Sequence, residues 1–559
     1  MKDSLAQWGF DYVRLRFGFR TGVAACLSLL FAWALGLEHP QWSAMTVWAV
    51  SQPTRGLLIE KAAYRALGTL LGTLFGMVLV VTSGGDILWL VVGLTLWVTL
   101  CVYTGNLLHG LISYGTILAG YSASMVVLLT QSPDALIPLG IDRLLTVFVG
   151  IICSLIIGFL FTYKRAEQTI INELRRHTAA NLYELAQAFS DPKNTVIQLD
   201  KKLSELANLE SQLLDHGTGS VSAHESAKTI RQVINTQLGF ITELQIQGFE
   251  ENIEVSTHLL EASNKIKASV HRKDILSSLN NAYQAMQNDA VKRRFKEFID
   301  ATEERLSFKD TGKTANSTLL STTLLHRDWR GARHSAIRTF IILAIIGALW
   351  WYTHWFQMAY LMLGASVMLT LFSTADNPAL TMKYVFFGQS VGALTAILIQ
   401  AGIWQFSHSV FWMLIAIMPI ILLGGFPMSH QKTANGSMDF NLVFLLLMQP
   451  TVPYIFNLSH SITIALAVIS APLLAMFAYR IIYPTSLKKR YNQLFDLLEK
   501  EITALNKTSL TLSQYKRRKA RFYHRIFKLT QLADKLAMKD KSPIIKQLLE
   551  GQSRLNATG

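Results

Sequence analysis

Three basic residues stand in otherwise apolar stretches of this 559-residue chain, where their side chains suit the binding of an anion. Lys61 and Arg65 are four residues apart, so in a helix both project from the same face. Arg143 lies at the start of a long apolar run, and an ionisable side chain placed there is a functional candidate because an uncompensated charge is costly in lipid. A guanidinium offers two parallel donors to the two oxygens of a carboxylate. We therefore predict that Lys61, Arg65 and Arg143 attract a carboxylate substrate.

Each cation also has an interpretation without a ligand. Lys61 and Arg65 fit the excess of basic residues at the cytoplasmic ends of membrane helices, from which long side chains reach the interface. Arg143 has two acidic neighbours in the sequence, Asp142 and Asp134, and either would serve as a purely structural partner. Both interpretations stay open at the level of the sequence.

Aromatic and titratable residues complete the candidate site. We expect aromatic contact with a substrate ring from Trp42, Trp48 and Tyr121. Four titratable residues near the predicted inner ends of membrane helices are candidates for a proton relay, although a single residue of this kind is more often interfacial. The four are His109, Asp376, His430 and Asp439.

The sequence shows no pattern typical of an enzyme, a metal site or a cofactor site. It contains no Walker motif, HExxH motif or catalytic-triad spacing, so ATP-driven transport by this chain is not expected. Cys26, Cys101 and Cys153 lie in apolar runs without CxxC or metal-ligand spacing, and small apolar packing is their expected role. We predict a non-enzymatic protein without a cofactor or a metal.

Two hydrophobic blocks must position these residues. The chain is 51% hydrophobic, and its apolar residues concentrate in positions 20–163 and 338–483. Each block is long enough for about six helices that cross an apolar layer of ~30 Å. The predicted spans are 20–37, 41–54, 66–83, 87–104, 108–130 and 140–162, then 338–354, 357–373, 384–403, 408–427, 439–456 and 461–483. The predicted fold class is all-α, a polytopic membrane protein.

The distribution of basic residues predicts the topology. With the N-terminus inside, Lys and Arg gather at the inner helix ends, Lys164 and Arg165 among them, and the predicted outer loops contain none. Both termini and both polar segments are then cytoplasmic. The predicted domains are a first transmembrane repeat (1–163), a cytoplasmic helical domain (164–337), a second transmembrane repeat (338–484) and a basic cytoplasmic helical tail (485–559).

Similar features recur in the same order in both blocks, which predicts an internal repeat. Each block begins with an Arg-Thr step and later carries glycines at four-residue spacing, which allow close helix packing in lipid. Because six spans is an even number, the two repeats run parallel, related by a pseudo-twofold axis along the membrane normal. The Arg-Thr steps are Arg20-Thr21 and Arg338-Thr339, and the packing glycines are Gly68, Gly72, Gly76, Gly388 and Gly392.

The second span is predicted to be unusually short, because Pro40 precedes it and Pro53 interrupts its far end. Short or broken helices in transporters often direct their ends at the substrate site. The alternative is an ordinary first-turn proline at Pro40, with Trp42 as an interface anchor.

The two polar segments differ in charge. Residues 164–330 carry 22 Lys and Arg and 22 Asp and Glu, whereas residues 485–559 carry 17 basic and 6 acidic residues, so most of the net charge of +15 lies in the tail. The tail mixes cations with aromatic residues between Lys516 and Lys528, which predicts an interfacial helix on anionic lipid; a solvated basic face is the alternative. Apolar residues at helical spacing predict that both segments bury these stripes against each other or against a partner chain.

Several segments resemble the fusaric acid resistance and aromatic acid exporter family. They are His39 to Thr46 (HPQWSAMT), Gln52-Pro53, Lys61 to Gly72 (KAAYRALGTLLG), Tyr114 to Ala123 (YGTILAGYSA) and Arg143 with the apolar run that follows it. The resemblance implies a bacterial inner-membrane protein that exports aromatic carboxylic acids by proton-coupled transport, often with a periplasmic adaptor. The plant malate-channel proteins are distantly similar, which keeps an anion channel open.

Residues and resemblance together predict an inner-membrane efflux transporter of organic, in particular aromatic, carboxylic acids, coupled to protons. The expected partners are membrane lipids, a small organic anion, a periplasmic adaptor protein and further copies of the chain, without nucleic acid. Two alternatives stay open. One is a passive organic-anion channel, and the other is a non-transporting membrane scaffold that recruits partners through its cytoplasmic helices.

Overall fold

The computed structural model describes residues 7–129, 136–161, 166–217, 219–311, 327–505 and 511–558. Within these ranges the chain is helical, which confirms the predicted all-α class, and β-pairing is confined to an isolated bridge between Phe10 and His430. Asp134, a predicted partner of Arg143, and the predicted inner-end cations Lys164 and Arg165 lie outside the described residues.

The chain forms two compact units, each built from two separate stretches of sequence. Met1–Thr162 joins Arg327–Thr485 in one unit, which we call the membrane unit. Tyr163–His326 joins Ser486–Gly559 in the other, which we call the polar unit. The four predicted segments therefore pair up, block with block and polar segment with polar segment.

The helices are numbered here in chain order. The first block contains α1 (Tyr12–Ala34), α2 (Gln41–Val50), α3 (Arg55–Ser83), α4 (Ile87–Leu107), α5 (Leu111–Leu129) and α6 (Leu136–Phe161). The middle polar segment contains α7 (Ala166–Ser190), α8 (Leu199–His216), α9 (Val221–Gln247), α10 (Ile253–Ala268), α11 (Arg272–Ala285) and α12 (Asp289–Thr311). The second block contains α13 (Trp329–Thr353), α14 (Gln357–Leu371), α15 (Pro378–Gly402), α16 (Val410–Leu423), α17 (Ala434–Leu447) and α18 (Leu458–Ile481), and the tail contains α19 (Leu487–Leu505), α20 (Leu512–Lys535) and α21 (Ser542–Thr558).

Nine helical stretches of the described residues are long and apolar enough to cross a membrane: α1, α3, α4, α5, α6, α13, α15, α18, and α16 together with the short helix that follows it, Val410–Ser429. The helices α14 and α17 are apolar but shorter. Helix α2 has 10 residues, which at ~1.5 Å per residue is about half of an apolar layer. It ends at Val50 rather than at the predicted residue 54, because the backbone becomes extended at Ser51 and Pro53 follows.

The glycine rows let helices cross at backbone distance. A Cβ atom added at Gly68 or Gly72 of α3 would lie 2.4 Å from a backbone oxygen of α5. A Cβ atom at Gly388 of α15 would lie 2.1 Å from the backbone oxygen of Gly436, and one at Gly392 would lie 2.6 Å from a backbone oxygen, both on α17. Only residues without a side chain permit such crossings, which supply packing contacts that the hydrophobic effect does not supply in lipid. The third and fifth helices of each block thus pack in the same way.

Other helix pairs recur in both blocks. The first helix of each block packs on the fourth of the other, as α1 on α16 and α13 on α4. The second helix of each block packs on the fifth of the other, as α2 on α17 and α14 on α5. This pattern fits a twofold repeat, and its orientation in a membrane stays a prediction.

The repeated Arg-Thr step binds carbonyls beyond helix ends. Arg20 donates from Nη2 to the Gln52 carbonyl after α2, at 2.7 Å. Arg338 donates to the Ile482 and Tyr483 carbonyls after α18, at 2.9 and 2.7 Å. The two arginines satisfy acceptors at the ends of different helices, so the repeat is not exact, and both have a structural role.

The middle segment and the tail share one hydrophobic core in the polar unit. Phe522, Tyr523 and Phe527 of α20 are at most 2% exposed within it. Lys519 on the same helix forms an ion pair with Glu297 of α12, at 2.7 Å. The expectation that these tail aromatics contact lipid is therefore wrong, because the core of the polar unit already surrounds them. The expected burial of the two apolar stripes against each other is confirmed.

A buried carboxylate also ties the two segments together. Glu210 of α8 lies 3.3 Å from Arg231 of α9 and 3.4 Å from His524 of α20. Burial alone raises the pKa of Glu210, but the close approach of His524, together with the charge of Arg231, lowers this pKa to about 2. The ionised carboxylate therefore stabilises the contact between the middle segment and the tail.

Candidate functional site

A cavity of about 470 Å³ lies within the membrane unit between the two blocks. Its walls come from α2, α3, α5 and α6 of the first block and from α14, α15, α17 and α18 of the second, joined by Met428 before α17. Cavities of roughly 300–1,000 Å³ suit small organic ligands. Methionines and aliphatic side chains supply most of the lining, with a few polar groups among them: Lys61, Arg65, Tyr114, Tyr121, Arg143, Tyr360, Gln389, Asn435, Ser437 and Asp439.

The glycine row positions Arg65. Arg65 stands three residues before Gly68, so it projects on the side of α3 that is pressed against α5. Its Nη1 atom donates to the hydroxyls of Tyr114 and Tyr121 on α5, at 2.9 and 3.3 Å. The Lys61 ammonium lies 5.1 Å from the centroid of the Tyr114 ring. The side chains of α3 and α5 thus hold two cations at one wall of the cavity.

Arg143 is buried without a carboxylate partner among the described residues. It is 2% exposed, and its guanidinium lies 5.0 Å from the centroid of the Trp42 ring. Nη2 contacts the Met125 sulfur at 2.9 Å, and a thioether is only a weak acceptor. Nε and Nη1 are buried and have no hydrogen-bond partner. Two charge-bearing donors of this side chain are therefore unused.

The predicted partner Asp142 is engaged elsewhere. Its Oδ1 atom accepts a hydrogen bond from the Glu38 backbone N–H at 2.8 Å, and its Oδ2 atom lies 2.8 Å from Nδ1 of His39. The His39 ring in turn stacks on Trp42, with centroids 4.2 Å apart. Asp142 fixes the turn before α2, and it leaves the guanidinium of Arg143 without a bonded anion.

The charge balance of the cavity favours an anion. Three basic side chains line it, and Asp439 is the acidic residue among the described lining residues. Arg65 and Arg143 are close enough to interact electrostatically. Like charges repel strongly where water is scarce, so an anion between them lowers the electrostatic energy. A carboxylate matches the charge of Arg143 and accepts a hydrogen bond from a donor that this side chain leaves unused.

The second block contributes neutral polar groups and the Asp439 carboxyl to the cavity. Gln389 of α15 is 3% exposed, its Nε2 atom lies 3.9 Å from the Met368 sulfur, and its Oε1 atom has no partner. Asp439 of α17 is 7% exposed, and Asn435 lies one helical turn before it. These groups suit hydrogen bonding to a polar substituent of a ligand.

Some of the predicted site residues line the cavity and others do not. Lys61, Arg65, Arg143 and Tyr121 line the cavity, whereas Trp42 reaches it only through contact with Arg143. Trp48 is 3% exposed in a hydrophobic cluster and does not line the cavity, and its contact with a substrate stays a prediction.

The four proton-relay candidates also differ in their position relative to the cavity. Asp439 lines the cavity. His109 and Asp376 lie in the connections before α5 and α15, outside the lining. His430 stacks edge-on against Phe10, with ring centroids 4.9 Å apart. Of the four relay candidates, Asp439 is the one that the structure brings to the cavity, and the relay itself stays a prediction.

Sequence reasoning missed Tyr114, Gln389 and Asn435. Tyr114 stands seven residues before Tyr121, two helical turns away on the same face, and this spacing is a signal that was available. Gln389 follows Gly388 directly, inside the packing row. Asn435 carries no local signal, because only the crossing of α17 and α15 brings it to the cavity. Among the described residues, no group of three His, Cys, Asp or Glu is placed to hold a metal.

Comparison with known proteins gives one family and a set of relatives. The Fusaric acid resistance protein family matches residues 14–550. The chain is 26% identical over 406 residues to the p-hydroxybenzoic acid efflux pump subunit AaeB of Yersinia pestis (strain Pestoides F), and the same values hold for AaeB of Yersinia pseudotuberculosis serotype O:1b (strain IP 31758). Each match covers 66% of this chain and spans 60% of the relative's length. No solved structure matches the chain.

Proposed function

Because this chain belongs to the fusaric acid resistance protein family, we propose that it is an efflux transporter of aromatic carboxylic acids. A multi-pass membrane protein with a cation-lined cavity between two helical blocks supports this proposal. The relatives are named as efflux pump subunits for p-hydroxybenzoic acid, which supports the substrate class. We place the protein in the bacterial inner membrane with both termini in the cytoplasm, on the distribution of Lys and Arg.

The observation that carries the proposal is the unpaired guanidinium of Arg143 in the cavity. The carboxylate of the substrate accepts a hydrogen bond from the guanidinium of Arg143, whose Nε and Nη1 donors are unused, and Lys61 and Arg65 attract it into the cavity. The aromatic ring then packs among Tyr121, Met125 and other apolar lining residues, where aromatic and sulfur contacts are favourable.

We propose that proton coupling runs through Asp439, because it shares the cavity with the cations. The charge on this carboxyl changes the electrostatic environment of a bound anion, so proton binding and anion binding are linked. A negative-inside membrane potential alone drives a monoanion outward by about 2.3 kcal/mol per 100 mV. A test of coupling therefore needs this potential set to zero.

We also propose three kinds of partner: a periplasmic adaptor protein, further copies of the chain and membrane lipid. The relatives are named as subunits of a pump, which supports a second component such as a periplasmic adaptor protein. Self-association of the chain rests on the family resemblance alone. Exposed apolar side chains on the membrane helices, such as Leu71 and Val78 of α3, support contact with lipid.

The test is transport by purified protein in liposomes. Liposomes loaded with radiolabelled p-hydroxybenzoic acid should lose label faster than protein-free liposomes, and an excess of unlabelled benzoate should slow the loss. Equal rates with and without protein would refute transport. Rates that ignore an imposed pH gradient at zero membrane potential would favour the passive channel. Normal function in cells of a variant with Lys61, Arg65 and Arg143 all neutralised would favour the scaffold.

A further inference from the structure

A second buried cation without a carboxylate partner lies in the polar unit. Arg305 of α12 is 8% exposed, and its Nη1 atom donates to the hydroxyls of Ser226 and Thr229, at 3.0 and 3.3 Å. The guanidinium lies 5.7 Å from the centroid of the Phe308 ring. Among the described residues it forms no ion pair, and burial lowers its pKa to about 10. Buried charges in proteins are usually paired, so an unpaired one is a candidate for ligand binding.

Another arginine on the same helix shows how this fold neutralises a buried cation. Arg294 is 5% exposed, and its Nη1 atom lies 3.1 and 3.0 Å from the two oxygens of Glu297. Its Nη2 atom also bonds Asn556. Burial lowers the pKa of Arg294, but Tyr523 and Glu297 together raise it above its ordinary value. The polar unit therefore supplies an anion to one buried arginine and none to the other.

Arg305 faces a pocket that has a positive charge. The pocket has a volume of about 90 Å³ and is lined by α7, α9, α10, α11 and α12. Arg175 and Lys309 are the other charged residues of the lining, and neither forms an ion pair within the described part of the chain. Lys309 is exposed, so the pocket opens to the surface beside it. Among the described residues the lining contains no Asp or Glu.

The rest of the lining is mostly apolar, with the hydroxyl residues Thr178, Ser269 and Thr302 among it. The apolar side chains include Leu174, Val233 and Leu306, and Thr302 presents a buried hydroxyl without a hydrogen-bond partner. Glu304 does not compensate Arg305, because it lies outside the lining and both of its carboxylate oxygens are buried without a partner. Consecutive residues of a helix point about 100° apart, which explains the separation.

We propose that this pocket binds a carboxylic acid with a small apolar body, whose carboxylate pairs with Arg305. A volume of about 90 Å³ equals the space of about three liquid water molecules, which admits the carboxylate and the first carbon atoms. The apolar walls hold the hydrocarbon part, while Arg175 and Lys309 attract the anion to the opening. This site belongs to the polar unit and does not depend on the transport proposed above.

The experiment is hydrogen–deuterium exchange of the full-length protein in detergent, with benzoate as the probe and benzamide as its neutral analogue. Benzoate should protect peptides that carry residues 171–178 and 302–309, and benzamide should not. Arg305→Met should raise the benzoate concentration for half-maximal protection of these peptides by roughly 10-fold or more. Arg305→Lys should have a smaller effect, because it keeps the charge and loses the fork.

Thermal unfolding without ligand separates a binding role from a structural one. If Arg305 serves the ligand, Arg305→Met keeps or raises the melting temperature, since an unpaired buried charge is replaced by an apolar side chain of similar length. Arg294→Met is the matched control on the same helix. It should lower the melting temperature because it breaks the pair with Glu297, and it should leave benzoate protection of 302–309 in place.

The inference would be overturned by equal protection by benzoate and benzamide, by retained protection in Arg305→Met, or by protection by inorganic phosphate but not by benzoate. Absence of any protection at 171–178 and 302–309 would also overturn it. Peptides that carry Arg65 and Arg143 report on the membrane cavity in the same samples. A failure of the proposed transport site and a failure of the pocket at Arg305 are therefore distinguishable.

Discussion

Replacing Arg143 with glutamine should weaken anion binding strongly and leave the amount of folded protein unchanged. One of the unused donors, Nε or Nη1, forms a hydrogen bond to a charged carboxylate when substrate is bound. Hydrogen bonds to charged groups contribute about 1.5–3 kcal/mol, so their loss corresponds to a rise in KM of roughly 10- to 150-fold. Arg143→Lys keeps the charge but loses the fork, and a rise of roughly 10-fold is expected.

The expected stability follows from the partners of Asp142. Breaking a buried ion pair costs about 3–5 kcal/mol, because one charge is left alone. Asp142 keeps the Glu38 N–H and His39 when Arg143 is replaced, so no such cost arises. The loss of the contact with Trp42, about 0.5–2 kcal/mol, is offset by removal of an unpaired buried charge. Normal yields of both variants are therefore expected.

The assay is efflux of radiolabelled p-hydroxybenzoic acid from liposomes at zero membrane potential, over a range of substrate concentrations. Arg338→Gln is the matched control, because Arg338 also lies over an aromatic ring, Tyr479, but outside the cavity. It should lower protein yield, since two carbonyls lose their donor, and leave KM unchanged. An unchanged KM in both Arg143 variants would refute the binding role. Rescue of a poorly made Arg143→Gln by Asp142→Asn would show that the two residues pair.

Three further changes test the packing, the coupling and the polar unit. Gly72→Ala places a Cβ atom 2.4 Å from a backbone oxygen of α5 and should destabilise the protein by about 1–3 kcal/mol. Gly402→Ala is the control, because a Cβ atom there meets nothing within 4 Å and should not destabilise the protein. Equal melting temperatures of the two variants would contradict the close crossing of α3 and α5. Asp439→Asn should remove the dependence of efflux on an imposed pH gradient, and the control Asp376→Asn should keep this dependence. If efflux by Asp439→Asn still depends on the pH gradient, the Asp439 carboxyl is excluded as the proton site. The pKa of Glu210 is lowered to about 2 from its ordinary value of 4.5, so the stability from its ionised form is present above pH 4.5 and is lost as the pH falls towards 2. Glu210→Gln should therefore reduce the free energy of unfolding by up to about 3 kcal/mol at pH 7 and by progressively less below pH 4.5, and a difference independent of pH would contradict the buried ion pair.

Much of the fold could be predicted because hydropathy and glycine spacing act locally along the chain. Each predicted span corresponds to a helix of the membrane unit, and the shortness of α2 follows from the prolines on either side of it. The pairing of the two polar segments was one of two predicted possibilities, since an amphipathic stripe indicates that a face is buried and does not identify its partner. The same limit explains why lipid contact was wrongly predicted for Phe522 and Phe527. Basic and aromatic residues on one helix suit a lipid surface, and they equally suit a protein core that is bordered by ion pairs.

The sequence by itself determined the helical class, the two apolar blocks and the presence of Lys61, Arg65 and Arg143 within them. Only the tertiary structure decided which of these side chains share a cavity and which charges are neutralised. His39 and Asp142 are 103 residues apart, yet their contact withholds a carboxylate from the adjacent Arg143. Adjacency in a sequence fixes the covalent distance between two residues but not the direction of their side chains, and helix crossings set by glycines far away determine what each side chain meets.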